Sequence, residues 1–127
     1  MSDRCYMRVT CRQRDRARFE ALGFAPEFAD TPEDCAVIEL VDTGADYGHH
    51  GRLPTEVPFI ASHDAGGNFG PRRLACDGRV LVEVPATEEG VLVEWDASRG
   101  QPTTTSLRQL RQFMAVLQRA ERKLRNP

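Results

Sequence analysis

The chain has 127 residues, of which 40% are hydrophobic and 28% charged. That size and balance fit one soluble globular domain spanning 1–127 and exclude wholesale disorder. Net charge is only −2, but residues 1–18 carry +4 and residues 106–127 carry +5, which leaves −11 between them. Basic ends around an acidic middle can satisfy each other inside one fold, or can present two differently charged surfaces to partners.

No window approaches the ~20 consecutive apolar residues of a membrane span. The N-terminal MSDRCYMR has no apolar signal-peptide core, so no membrane contact and a cytoplasmic location are expected. Arginine supplies every basic residue except Lys123, and asparagine occurs only at Asn68 and Asn126. That bias away from A/T-rich codons points to a GC-rich genome, a bacterium's or that of its mobile elements.

The first element, Cys5–Cys11 (CYMRVTC), alternates as a strand: Cys5, Met7, Val9 and Cys11 on one face, Tyr6, Arg8 and Thr10 on the other. RQRDRARFEALGF reads as a short helix with Phe19 and Leu22 on its apolar side and Gly23 as its C-terminal cap. Pro26 and Pro32 mark a loop. CAVIELVD is a second strand with Ala36, Ile38 and Leu40 on one face, closing at Thr43-Gly44. Gly48, Gly51, Pro54 and Pro58 make Asp46–Pro58 an ordered loop. A third strand covers Phe59–Ser62, followed by the glycine loop of HDAGGNFGPRR. A short extended piece at Leu74–Cys76 ends at the Asp77-Gly78 turn.

RVLVEVPATEEGVLVEWD is predicted as a hairpin. Its register sets Val84 opposite Val91, Val82 opposite Val93, Val80 opposite Trp95 and Arg79 opposite Asp96. A long C-terminal helix starts at SLRQ, a capping box with Ser106 as N-cap and Gln109 reaching back. Its apolar stripe is Leu107, Leu110, Phe113, Met114, Leu117, Ala120 and Leu124. Arg108, Arg111, Arg119, Arg122 and Lys123 gather on another side. These elements predict an α+β domain: an antiparallel sheet of four or five strands with two helices, short N-terminal and long C-terminal, packed on one face.

Reactive motifs are incomplete. Cys5, Cys11, Cys35 and Cys76 have no CxxC spacing, and Cys5 and Cys11 lie roughly 20 Å apart along a strand, too far to share a disulfide or a metal. Cys11 ends a strand before a helix, with Arg12, Arg14 and Arg16 nearby, a setting that lowers a thiol pKa. A Cys-x5-Arg phosphate loop fails at Ala17. The glycine loop lacks the Gly-Lys-Ser/Thr end and the following helix of a phosphate loop. Adjacent histidines at His49 and His50 point opposite ways in an extended chain, as do His63 and Asp64, and no H-x-x-x-H spacing occurs. Ser62, His63 and Asp64 are consecutive and do not form a triad.

The expected function is therefore a non-enzymatic protein-binding accessory or inhibitor of a larger bacterial or phage assembly, such as a mobile-element protein blocking a host defence complex. No cofactor or metal is expected. The candidate surfaces are the arginine face of the last helix, facing a partner with an acidic surface, the acidic loop around Asp30–Asp34, and the glycine loop with His63, Asp64, Arg72 and Arg73. A metal-dependent or anion-binding enzyme built on His49 or His50, His63, Asp64, Arg72 and Arg73 is one alternative. A nucleic-acid phosphate binder using the basic helix is the other. Against it stand a pI near 5.9 and the lack of aromatics between the arginines.

Overall fold

The computed structural model describes residues 4–26, 36–46, 51–64, 71–86, 95–102 and 104–125. Strand β1 (Arg4–Arg12) lies inside the sheet, between β3 (Val37–Asp46) and β4 (Pro58–His63). The sheet continues from β4 to β5 (Arg72–Asp77) and β6 (Leu81–Pro85), while β2 (Ala25–Pro26) flanks β3 at the other edge. All neighbours pair antiparallel. The class is α+β, with six strands in the main sheet rather than four or five.

Alternation decides which side of each strand is dry. Met7, Val9 and Cys11 are fully buried, whereas Arg8 between them is exposed. Their face packs with Leu40, Phe59 and Leu74. It is closed by the short helix α1 (Arg16–Glu20), which follows a 3-10 turn at Gln13–Asp15, and by Leu53 and Val57 of the loop before β4. Phe19 of α1 meets Phe59 edge-to-face at 5.4 Å between ring centroids, a favoured aromatic geometry. Gly23, at φ +108°, ends the helix in a conformation that side chains rarely adopt.

The long helix α2 (Thr104–Arg125) lies across β4, β5 and β6. It packs on the opposite face from α1. On β5, Leu74 and Cys76 point to the Phe19 side, while Ala75 points to Phe113 and Val116 of α2. A period of two along the strand makes this unavoidable. The expected arrangement of both helices on one face is corrected accordingly.

Two local expectations also change. The helix begins at Thr104, so Ser106 lies within its first turn instead of capping it. The predicted hairpin register does not hold at its C-terminal end: Trp95 pairs with Pro102 and Asp96 with Gln101, in a separate ladder of β7 (Trp95–Asp96) and β8 (Gln101–Pro102). A tight local turn drives this. Asp96 Oδ1 accepts bonds from Ser98 N and Ser98 Oγ, the Asp96 carbonyl accepts from Arg99 N and Gly100 N, and Gly100 takes φ +63°. Val84 lies opposite Arg73 of β5. Residues 91–94 fall outside the described residues.

Candidate functional site

The apolar side of α2 centres on Phe113, Val116, Ala120 and Leu124, all buried. At 100° per residue, Leu107 and Met114 fall at the rim of that stripe; they are 39% and 50% exposed. The predicted stripe is therefore rotated, admitting Val116 and releasing those two.

That rotation sorts the cations. Arg119 and Lys123 lie beside Val116, on the edge facing the end of β5, and both are used structurally. Arg119 Nε donates to Asp77 Oδ2 at 2.8 Å, and Lys123 Nζ donates to the Asp77 carbonyl. The same carboxylate accepts Arg79 N and Val80 N, both at 2.9 Å, an Asx turn closing β5 onto β6. Burial alone would raise the Asp77 pKa; hydrogen bonds from Arg119, Val80 and Arg79 overcome it and hold the group at about 2.

Arg108, Arg111 and Arg122, with Arg125, lie on the far side of the helix and are exposed. Among the described residues none of the four has an ion pair. They span about 26 Å of helix axis.

The strand-borne candidates are divided between the two faces. His63 is buried at 2% exposure on the α1 side, with its Nδ1 3.0 Å from the Asp64 carbonyl, whereas Asp64 is exposed. Arg72 shares the His63 face and pairs with Glu83 at 3.0 Å. Arg73 points the other way, toward α2, so consecutive Arg72 and Arg73 do not form a clamp. His49, His50, residues 65–70 and the acidic loop at 30–34 lie outside the described residues. Among the described residues no group of His, Cys, Asp and Glu side chains is placed to hold a metal ion.

Cys11 is the reverse of an activated thiol. Burial, then the Asp15 carboxylate, push its pKa up to about 12 against the opposing pull of Arg16 and Arg12. Arg12 is itself held by Asp15 at 2.7 Å. Desolvation raises the Cys76 thiol as well, and its Sγ donates to the Thr55 carbonyl at 3.3 Å. Both are structural.

A groove that sequence inspection missed runs along the other edge of α2. Arg8, Ser62 and Arg73 face it from three adjacent strands, and Ile60, Phe113 and Leu117 form its apolar wall. Arg8 lies opposite Ser62, and Ser62 opposite Arg73. Only strand register brings them together, and no local pattern encodes it. Among the described residues no helix is long and apolar enough to cross a membrane. No protein-family model, curated protein or solved structure matches the chain.

Proposed function

We propose that the chain is a non-enzymatic protein-binding accessory or inhibitor that docks on an acidic patch of a larger assembly through the outward face of α2. The observation carrying this reading is the division of labour among the helix cations. Arg119 and Lys123 tie the helix to Asp77, while Arg108, Arg111, Arg122 and Arg125 point to solvent. A helix fixed on its sheet presents guanidinium forks without further ordering of its backbone, which lowers the entropic cost of association. Arginine forks match carboxylates bidentately. A buried His63 and high-pKa thiols at Cys11 and Cys76 give little support to the alternative of an enzyme.

The test uses the full chain and a triple variant, Arg108→Glu, Arg111→Glu and Arg122→Glu, against poly-glutamate and a DNA duplex of matched charge. The positions are exposed, so the melting temperature should be nearly unchanged. Poly-glutamate should bind the parent and not the variant. Tighter binding of the duplex, with a steep loss on adding salt, would favour the nucleic-acid reading. Equal binding of both probes by parent and variant would remove the helix face from consideration.

A further inference from the structure

The groove beside α2 exists because one helix cannot cover the sheet. Six strands spaced about 4.8 Å apart span roughly 24 Å, whereas a helix with side chains is about 10–12 Å wide. Helix α2 covers β4 to β6, and a step remains where its edge meets β4 and β1. The step encloses about 110 Å³, less than the roughly 300–1,000 Å³ of drug-sized sites, so it suits a small ligand that stays partly in solvent.

Its chemistry is two-sided. Arg8 and Arg73 flank Ser62 in one cross-strand row, with their Cα atoms two strand spacings, about 10 Å, apart. Long side chains from both can converge over the serine hydroxyl. Ile60, Phe113 and Leu117 line the groove next to that row, and Met114, half-exposed, extends the apolar edge three residues before Leu117. Arg8 is steadied by Glu39 at 3.5 Å and by the Tyr6 ring, whose centroid is 5.3 Å away. Arg73 has no ion pair among the described residues. Arg8 is already paired with Glu39, so Arg73 brings the groove's unbalanced charge among the described residues, a single one that a monoanion matches.

We propose that this groove binds a small monocarboxylate with an apolar tail. The carboxylate accepts N–H bonds from Arg73 and Arg8 and the Ser62 hydroxyl, and the tail lies along Ile60, Phe113 and Leu117. None of the outward arginines Arg108, Arg111, Arg122 and Arg125 lines the groove, whose cations are Arg8 and Arg73.

Octanoate is the probe, titrated into the full chain and followed by amide chemical shifts and calorimetry. The expected result is saturable one-site binding, with shifts concentrated at Thr10, Ile60, Ser62 and Leu117. Arg73→Gln, a surface change that should leave folding intact, should weaken it about tenfold, the loss of one charge-assisted contact. Arg73→Lys should fall between, and Arg111→Gln should match the parent. Absence of saturable shifts at millimolar octanoate would overturn the proposal. So would equal affinity in Arg73→Gln, or binding of octanamide or inorganic phosphate as tight as that of octanoate.

Discussion

Replacing Asp77 by asparagine tests how α2 is held to the sheet. The amide oxygen can still accept the Arg79 and Val80 N–H groups, so the substitution isolates the charge that binds Arg119. The Asp77 side chain is 6% exposed, and its pKa falls from an ordinary 3.8 to about 2. A depressed carboxylate contributes stability that is complete above the unfolded-state pKa and lost as pH falls through the folded-state value. At 1.36 kcal/mol per pKa unit the contribution at pH 7 is about 2 kcal/mol, falling to about half of that by pH 3. The replacement amide stays uncharged at every pH. Urea unfolding at pH 7 should therefore find Asp77→Asn less stable by about 2 kcal/mol with an unchanged m-value, and the gap should narrow at pH 3. A double-mutant cycle with Arg119→Gln should show strong coupling. Equal stability of parent and variant at pH 7, or a gap that is the same at pH 3, would refute the latch.

Three further outcomes rest on burial and backbone geometry. Iodoacetamide at pH 8 should leave Cys11 and Cys76 unmodified in the folded protein and label both once urea unfolds it, as read by peptide mass mapping, because both thiols are buried and raised in pKa. Phe113→Ala should cost about 3–5 kcal/mol by leaving a cavity against Ala75 and Val84. Met114→Ala, next to it but 50% exposed, should stay within about 0.5 kcal/mol in the same unfolding assay. Gly23→Ala should destabilise by about 1 kcal/mol or more, since φ is +108° and a Cβ would lie 3.2 Å from Asp42 Oδ2; Gly51→Ala, in open space, should be neutral by thermal melting.

Local patterns are readable in the sequence and long-range ones are not. The dry face of β1 follows from alternation at Met7, Val9 and Cys11, and the end of α1 from Gly23, because both depend on residues within one turn or one pleat. The Asp77-Gly78 turn is equally visible. That Asp77 also captures Arg119, 42 residues away, is not, and so two of the cations expected to dock a partner instead fix the helix. The apolar stripe of α2 is legible at Phe113, Leu117, Ala120 and Leu124. Its boundaries are blurred because Met114 and Val116 are similarly apolar, and only the sheet decides which of them is covered. The Trp95 pairing escapes the sequence for a related reason: a valine pattern permits a hairpin, but the Asp96 turn closes a shorter ladder first.

The uneven charge along the chain acquires a physical sense from these contacts. Arg8 pairs with Glu39, Arg18 with Glu56 and Arg119 with Asp77, each joining a basic end to the acidic middle. These pairs neutralise charge where elements meet. Exposed guanidinium groups with no ion pair among the described residues then remain at Arg108, Arg111, Arg122 and Arg125 on α2 and at Arg73 in the groove, with Arg14 and Arg79 elsewhere. Exposed pairs add little stability one by one, so Arg8–Glu39 and Arg18–Glu56 hold the fold weakly, and only the shielded Asp77 contact contributes substantially.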